Sequence, residues 1–410
     1  MYIYEHESWP HFSYDPQKLS ALLEQCHVAQ GRLLSKMELL GLSQKEDKIL
    51  LTISNDVIKS SEIEGFLLNK EQVRSSIALR LGLQSQKSVN TDRNVDAVVE
   101  MMLNATQHYE EPLTEERLFG WHACLFPTGY SGMNKIEVAQ YRTSPMQVVS
   151  GALGKETVPI NESSQETSVS ENDSLVRERE QVDNQVCMAN LALNEAHHFA
   201  TRLKAHYEAL AAEKVPAEMK AFLDWLNSEK QGDSLVNAAI AHLWFVTIHP
   251  FDDGNGRIAR TIGDMMLCRS DRTNLRFYSM SNQISLDKKN YYDILEKTQH
   301  GSLDITEWLE WFLRCLQKAL DESYAETEAV LKKYSFLQEI SHIQLNARQL
   351  LMLEKLTSGE WFGVLNSSKW AKIAKCSTDT ALRDISDLMQ KGILEKEPTA
   401  GGRSTNYRLK

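Results

Sequence analysis

The chain has 410 residues, 42% hydrophobic and 25% charged, which is the composition of a globular protein of roughly two to four domains. Its net charge of −11, from 45 basic and 56 acidic residues, argues against a polyanion-binding surface over the whole chain. No stretch approaches the roughly 18 consecutive apolar residues of a membrane helix, and residues 1–12 lack the pattern of a signal peptide. We therefore expect a cytoplasmic protein that does not bind membranes.

Helical spacing of apolar residues dominates the first quarter of the chain. Gly41 and Gly65 follow the first two stretches with this spacing, and glycine is common just after the last residue of a helix. A low content of proline and glycine, 9 and 19 residues, also favours helix. The pattern predicts helices over 19–40, 45–64, 71–81 and 95–107.

The middle of the chain departs from this pattern and then returns to it. The stretch 147–150 is extended in character and predicts a strand or hairpin. Residues 161–180 follow with six acidic residues and two arginines, which is typical of a polar loop. Helical spacing then resumes over 184–213 and 216–227.

A helix over 233–248 is apolar nearly all round and is therefore expected to be buried. A loop over 249–255 separates it from a second helix that begins near Gly256. Another helix is predicted over 304–334.

The C-terminal residues predict a winged helix-turn-helix over 345–410. Three short helices are expected over 348–356, 370–375 and 378–389, and two strands over 393–396 and 405–409 flank a glycine turn. Residues 361–410 carry nine basic and five acidic residues, yet the helix that would read DNA holds three aspartates and one arginine. DNA binding and protein docking are both open at this point.

The loop after the buried helix has the composition of a phosphate site. Gly254 and Gly256 let bare backbone approach a ligand, and the N–H groups at a helix start form a nest for anions. Arg257 and Arg260 lie three residues apart, so both guanidinium groups can project from the first turn toward that nest.

Two further side chains of the loop suit nucleotide chemistry. Asp253 is a hard oxygen ligand beside the predicted phosphate site and suits Mg²⁺ shared with a nucleotide. His249 titrates near neutral pH and is placed to act as a general base. The pattern favours transfer of a phosphorus-containing group from a magnesium-bound nucleotide; a turn with solvated charges is the alternative. No Walker A loop, protein-kinase motif set or nucleophile elbow occurs in the chain.

Residues 249–260 resemble the signature of Fic-domain proteins, His-x-Phe-x-Asp/Glu-Gly-Asn-Gly-Arg-x-x-Arg, at every specified position. This resemblance implies a mainly α fold, with a Fic-type helical core, a short β-hairpin flap and the C-terminal winged helix-turn-helix. It also implies an enzyme, a protein adenylyltransferase that moves AMP from ATP to a Ser, Thr or Tyr hydroxyl of a target protein. The identity of the donor follows the majority of the family.

The resemblance assigns roles to the residues of the loop. His249 would deprotonate the target hydroxyl, and Asp253 would hold Mg²⁺. Asn255 and the amides of the two glycines would cradle the α-phosphate. The arginines would meet the β- and γ-phosphates, so the implied nucleotide contacts of the loop are Gly254, Asn255, Gly256, Arg257 and Arg260.

Residues 60–65 fit the Fic inhibitory pattern Ser/Thr-x-x-x-Glu-Gly/Asn. The resemblance implies that the Glu64 carboxylate competes with the γ-phosphate for Arg260, with Ser60 as the first residue of the pattern. The alternative is an ordinary helix end capped by Gly65, with Ser60 facing solvent.

Two further segments are similar to the family. By analogy, Val148, Val149, Ser150 and Gly151 form the flap edge that borders the nucleotide and pairs with the target by strand addition. Residues 290–295 match a stretch beside the adenine, which makes Tyr291, Tyr292 and Gln299 nucleotide contacts. Packing of the two tyrosines in the core is the alternative.

The implied organisation is an N-terminal helical region over 1–90 with the inhibitory motif, a Fic domain over 91–335, and the winged helix. About fifty residues, 159–214, interrupt the Fic domain as an insertion. Its histidines, His197, His198 and His206, favour a surface cluster over a metal site because the bundle motif Glu-x-x-His occurs only once within the insertion. The alternative function is a DNA-binding regulator whose Fic domain senses nucleotide. A homo-oligomer is compatible with either function.

Overall fold

The computed structural model describes residues 1–83, 90–151, 154–159, 204–228, 232–357, 363–397 and 405–410. The predicted acidic loop over 161–180 and the histidines His197 and His198 lie outside these residues. Among the described helices, none combines the length and the apolar character needed to cross a membrane.

The fold is mainly helical, as the sequence predicts. The helices in chain order are α1 (Pro16–Glu38), α2 (Leu42–Ile63), α3 (Lys70–Arg80), α4 (Arg93–Gln107), α5 (Glu115–Leu125), α6 (Val215–Asn227), α7 (Ser234–Ile248), α8 (Asn255–Asp271), α9 (Met280–Leu286), α10 (Lys288–Gln299), α11 (Thr306–Glu339), α12 (Ala347–Thr357), α13 (Ser367–Ile373) and α14 (Thr378–Gln390). Short 3-10 turns span Ile3–Glu5 and Ala212–Lys214.

The strands form three small antiparallel sheets. They are β1 (Tyr130–Ser131) with β2 (Asn134–Lys135), β3 (Met146–Gly151) between β4 (Gly154–Pro159) and β5 (Lys204–Glu208), and β6 (Leu394–Lys396) with β7 (Tyr407–Leu409). The predicted hairpin around 147–150 is confirmed as β3 and β4.

The helix predicted over 184–213 is wrong at its end. Residues Lys204–Glu208 form a strand that pairs with β3, and Ala212–Lys214 form a 3-10 turn. The apolar spacing of this stretch is local, whereas β5 is fixed by hydrogen bonds to a strand more than fifty residues earlier in the chain. Sequence patterning also missed α5, α9 and α10.

The chain divides into two compact units. The first contains Met1–Gly31 and Glu46–Leu320, and the second contains Arg32–Lys45 and Asp321–Lys410. The central helices α7 and α8 of the first unit pack against each other, and α7 is buried nearly all round, as its composition predicts. The division into the three predicted domains stays a prediction.

The second unit has its own apolar core around Trp370, which is fully buried. Met352 and Leu353 of α12 and Ile385 and Leu388 of α14 share this core. The order of three helices and a two-stranded sheet is the observed arrangement of residues 347–409 in the described part of the unit. The winged helix-turn-helix stays a prediction.

Candidate active site

The loop between α7 and α8 is shaped by two residues with left-handed backbone. The Asp233 carboxylate caps α7 at its start, and α7 ends at His249, which has φ 54°. Gly254 has φ 83° and precedes α8. A Cβ atom on Gly254 would approach the Phe126 ring to 2.9 Å, so both the backbone conformation and the available space require glycine here.

Asn255 and Phe251 close the loop upon itself. The Phe251 N–H donates to the Asn255 side-chain oxygen at 3.0 Å, and the side-chain nitrogen donates to the Phe251 carbonyl at 2.7 Å. The Phe251 ring is buried and stacks on His122 with ring centres 4.2 Å apart. Asn255 therefore fixes the shape of the loop, and the predicted contact of its side chain with a phosphate stays a prediction.

Arg142 holds the loop from outside and is a positioning residue that the sequence did not reveal. Its guanidinium donates to the His249 carbonyl at 2.8 Å and also to the carbonyls of Ser144 and Leu210. Its backbone N–H donates to the Pro250 carbonyl at 2.9 Å. The only signal in the sequence was its place just before the predicted flap, which says nothing of a contact 107 residues away.

His249 has one ring nitrogen bonded and the other without a partner. Nδ1 lies 3.2 Å from the Val246 carbonyl, which can only accept, so Nδ1 carries the proton. Nε2 is buried and has no hydrogen-bond partner among the described residues. Burial, with the nearby charge of Arg142, lowers the pKa of His249 to about 4. The neutral ring therefore presents an unprotonated Nε2 at pH 7.

Arg257 and Arg260 also carry buried nitrogen atoms that lack hydrogen bonds within the described part of the chain. These are Nε and Nη2 of Arg257 and Nη1 of Arg260. The Arg257 guanidinium packs over the rings of Phe66, at 4.7 Å, and Phe126, at 5.0 Å. Buried donors without partners are rare and mark places where a ligand can bind.

Glu64 is bound to the second of these arginines. Arg260 Nη2 donates to Glu64 Oε1 at 2.7 Å and to the Ser60 carbonyl at 2.9 Å, and Nε donates to the Ser60 hydroxyl at 2.9 Å. Ser60 is buried, so the alternative in which it faces solvent is wrong. Although burial disfavours the charged carboxylate, Arg260 holds the pKa of Glu64 below its usual range.

The Glu64 carboxylate also lies against the first turn of α8. A Cβ atom built on Gly256 would overlap Glu64 Oε1, so the absence of a side chain at this position makes room for the carboxylate. Tyr292 places its hydroxyl 3.3 Å from Glu64 Oε2. Glu64 thus occupies the helix start at which the sequence predicts an anion site.

Asp253 fits a hard divalent cation. Its carboxylate accepts from the Gly254 N–H at 2.5 Å and from the Ser131 hydroxyl, and its side chain is 31% exposed. The described residues contain no cluster of three or more metal-ligating side chains. A Mg²⁺ ion at Asp253 would therefore take its remaining oxygen ligands from water and from phosphate, as is usual for this ion.

His249, Asp253 and Glu64 line one cleft that is open to solvent. The predicted site residues that border it are Glu64, Val148, His249, Asp253, Gly254, Asn255, Gly256, Tyr291, Tyr292 and Gln299. Tyr291 is buried and its hydroxyl lies 3.0 Å from His242 Nε2, whereas Gln299 contacts Thr247. Both tyrosines thus border the cleft, and Tyr291 also packs in the core.

The flap prediction needs one correction. The residues Val148, Val149 and Ser150 lie in β3, which pairs with β4 on one side and with β5 on the other. Strand addition at these three residues is therefore wrong, because their backbone already has a neighbour on each side. The outer edges of this sheet belong to β4 and β5.

Two segments of the chain match the models of known protein families. The model of the Fic/DOC family matches residues 194–267, which include the loop and part of the stretch predicted to be an insertion. A model described as a domain of unknown function (DUF4172) matches residues 2–83.

Curated relatives match over shorter segments. The protein adenylyltransferase Fic of Nematostella vectensis is 34% identical over 121 residues, 28% of this chain and 26% of that protein. A probable protein adenylyltransferase of Aquifex aeolicus is 28% identical over 172 residues, 38% of this chain and 53% of that protein. The chain thus spans between about a quarter and about a half of these relatives.

Among solved structures, a Fic family protein from Desulfovibrio desulfuricans G20 aligns over 98% of both chains, with a TM-score of 0.48 and 18% identity. The match of the family model rests on the segment that carries the loop motif and its two flanking helices. Residues 194–267 of the chain are therefore similar to the Fic/DOC family.

Proposed function

We propose that this protein is an autoinhibited protein adenylyltransferase, which transfers AMP from ATP to a hydroxyl group of a target protein. One observation carries the proposal: an unprotonated His249 Nε2 lies in the same cleft as a helix start that an internal carboxylate, Glu64, now occupies. The names of the relatives support the same activity, although each alignment covers only part of the relative's length.

The reaction requires a base, and His249 supplies it. The target hydroxyl oxygen attacks the α-phosphorus of ATP, its proton goes to Nε2, and the bond to the β-phosphate breaks to release pyrophosphate. The lowered pKa of about 4 keeps Nε2 unprotonated before the substrate binds. The negative charge of a bound triphosphate would then raise the pKa of the imidazole toward neutral values.

The phosphates would be bound by the start of α8 and by two arginines, each of which keeps a buried nitrogen without a hydrogen bond among the described residues. The backbone at Gly254 and Gly256 provides the helix start, and Arg257 and Arg260 provide the cations. Mg²⁺, when bound at Asp253, would neutralise part of the phosphate charge. Asn255 would hold the loop in the shape that presents these groups.

Glu64 would act as the inhibitor in this mechanism. A carboxylate that binds Arg260 and contacts the first turn of α8 competes with a terminal phosphate for the same cation and repels it. A triphosphate then binds in a pose in which the α-phosphorus is not presented to His249. Removal of the carboxylate would free Arg260 for the nucleotide.

The experiment uses ATP labelled at either the α- or the γ-phosphate, with Mg²⁺, the full chain and a cell lysate. We expect a Glu64→Gly variant to incorporate the α-label much faster than the wild type. His249→Ala in that background should reduce the rate by about 10²–10⁴, the usual contribution of a general base. Incorporation of the γ-label would instead indicate phosphoryl transfer.

Two results would contradict the proposal. In one, the Glu64→Gly variant transfers no α-label to any protein. In the other, labelling proceeds equally with and without His249, which would remove its role as base. Release of AMP from a modified target by the wild type is a further activity of the same site; a modified target that keeps its AMP in the presence of the protein would count against it.

A second candidate function, DNA binding by the second unit, gains support from the pairing of the acidic residues of α14. Asp384 is buried and accepts from Asn346 and Arg348, and Asp387 accepts from Gln349 and Lys391. These two carboxylates are thus neutralised within the unit, which removes much of the repulsion expected from the sequence. Fluorescence anisotropy with labelled duplex DNA tests this function, and no binding at low salt would exclude it.

A further inference from the structure

One buried histidine beside the active-site loop has no role in the transfer reaction described above. His122 lies in the last turn of α5, has no exposed surface, and stacks its ring on Phe251. Packing on Phe251 needs only an apolar ring and makes no use of the two ring nitrogens. Both nitrogens are nevertheless hydrogen-bonded to backbone groups of other segments, so a polar ring at this position requires a reason.

The two hydrogen bonds determine which ring nitrogen of His122 carries the proton. The backbone N–H of Ala139 donates to Nδ1 at 3.1 Å, so Nδ1 is unprotonated. Nε2 lies 3.2 Å from the Asp253 carbonyl, which can only accept, so Nε2 carries the proton and donates to that carbonyl. The ring thus joins the segment between β2 and β3 to the loop that follows α7.

The bond to the Asp253 carbonyl fixes the orientation of one peptide group of the loop. The peptide between Asp253 and Gly254 is trans, so it is planar and its C=O and N–H point in opposite directions. The carbonyl points to His122, and the Gly254 N–H donates to the Asp253 carboxylate at 2.5 Å. His122 therefore orients the peptide group whose N–H holds the carboxylate.

Neighbouring contacts hold the same residues from other sides. A Cβ atom on Gly254 would come within 2.9 Å of the Phe126 ring and 3.0 Å of Leu125, so the end of α5 lies directly against the loop. The Ser131 hydroxyl, on the hairpin of β1 and β2, donates to the Asp253 carboxylate. The backbone of Asp253 is thus fixed from α5 and its carboxylate from the hairpin.

We infer that His122 is a positioning residue for the divalent cation: through the peptide group between Asp253 and Gly254, it holds the Asp253 carboxylate in the orientation that binds Mg²⁺. This inference rests on the proposed function, in which Asp253 is a ligand of Mg²⁺. The described residues contain no cluster of three or more metal-ligating side chains, so the orientation of this carboxylate matters more than it would in a cage of several ligands.

Two amide variants separate the two hydrogen bonds of His122. The side-chain nitrogen of glutamine reaches the position of Nε2, whereas the amide of asparagine reaches only that of Nδ1. His122→Gln can therefore still donate to the Asp253 carbonyl, while His122→Asn can accept from Ala139 but does not reach Asp253. The asparagine variant should lose the positioning and the glutamine variant should keep it. A residue that served packing alone would be affected by both changes alike.

The measured quantity is the affinity for ATP in Mg²⁺ divided by the affinity for ATP in EDTA. Titration calorimetry gives both values for the full chain in the Glu64→Gly background. His122→Asn should lower this ratio about 10-fold, the lower end of the usual loss when a residue that orients a metal ligand is removed, and should leave the affinity in EDTA unchanged. His122→Gln should keep the parent ratio.

Asp253→Asn should lower the ratio at least as much as His122→Asn does. Because His122 acts through Asp253, the double variant should show no further loss beyond that of Asp253→Asn alone. His108→Asn is the matched control and should leave the ratio unchanged, since His108 is exposed, bonds to Glu111 and is not among the residues that border the cleft.

Urea unfolding followed by tryptophan fluorescence shows which variants are folded. If His122→Asn is not, His122→Phe replaces it, because phenylalanine keeps a ring against Phe251 but cannot donate to Asp253. An unchanged ratio in the variant that cannot donate, or an equal loss in that variant and in His122→Gln, would overturn the inference. A parent ratio of 1 would overturn it as well, since Asp253 would then hold no Mg²⁺. If the Glu64→Gly variant transfers no AMP, the proposed function fails, and the calorimetric ratio still decides the role of His122.

Discussion

Two buried arginines in the first unit each contact a carboxylate that lies in helix α2 or directly after it, in very different surroundings. Arg260 binds Glu64, whose side chain is 25% exposed and borders the cleft. Arg276 lies 2.7 Å from Asp264 and 3.8 Å from Asp56, and all three side chains are at most 1% exposed. The first carboxylate can be reached from the cleft, whereas the other two are enclosed.

The pKa shifts of the two clusters have opposite signs. Arg260 outweighs burial and holds the pKa of Glu64 below its usual range. Burial and the charge of Asp264 raise the pKa of Asp56 to about 8. Two enclosed carboxylates that share a single arginine thus keep a proton at neutral pH. This cluster is suited to anchoring α2 and not to binding an anion.

The largest expected effect is on stability, in an Arg276→Met variant. Loss of a cation that contacts two enclosed carboxylates should lower the free energy of unfolding by about 3–5 kcal/mol, the usual cost of breaking a buried ion pair. Urea unfolding followed by tryptophan fluorescence measures it. Arg314→Met is the control, because Arg314 forms an exposed pair with Glu310 and should change stability by less than about 1 kcal/mol. A loss no greater than that of the control would refute the anchoring role.

Arg260→Met should have a smaller effect on stability. It removes a charged hydrogen bond to Glu64 and two contacts with Ser60, but the carboxylate keeps access to solvent. We expect a loss of about 1.5–3 kcal/mol in the same unfolding experiment. A loss larger than that of Arg276→Met would contradict the distinction between an exchangeable and an enclosed cluster.

The smallest effect, counted per pH unit, is the dependence of stability on pH. The pKa of Asp56 is ~4 in the unfolded chain and about 8 in the folded protein. At a pH between these two values the carboxyl binds a proton only in the folded state, so its contribution to stability falls as the pH rises. Glu64 has the opposite sign: its contribution is present above the unfolded value and is lost as the pH falls.

Asp56→Asn should therefore flatten the decline in stability above about pH 5, which is at most about 1.4 kcal/mol per pH unit. Glu64→Gln, the matched change at the other cluster, should leave this decline intact. Melting temperatures from pH 5 to 8 test both variants. An equal decline in the wild type and in Asp56→Asn would show that the proton is not bound at this pair.

The sequence alone was sufficient to predict the site residues of the loop, because they are contiguous over residues 249–260. The inhibitory role of Glu64 was predicted from the resemblance, whereas its close approach to Gly256 is visible only in the structure. Arg142 could not be found, because it acts through a contact with a residue far away in the chain. The surface location expected for His206 is wrong, because this residue is buried against Glu296, ninety residues away. The strand at Lys204–Glu208 was missed for the same reason, since its pairing partner is not a local property.

Binding of ATP and AMP to the wild type and to the Glu64→Gly variant is the most direct test of the central claim, that Glu64 competes with the terminal phosphates. Removal of the carboxylate should strengthen ATP binding by about 10- to 100-fold, since a charged hydrogen bond contributes about 1.5–3 kcal/mol. AMP, which lacks the β- and γ-phosphates, should bind both proteins with nearly equal affinity. Titration calorimetry that gave equal gains for ATP and AMP, or no gain for ATP, would contradict the account.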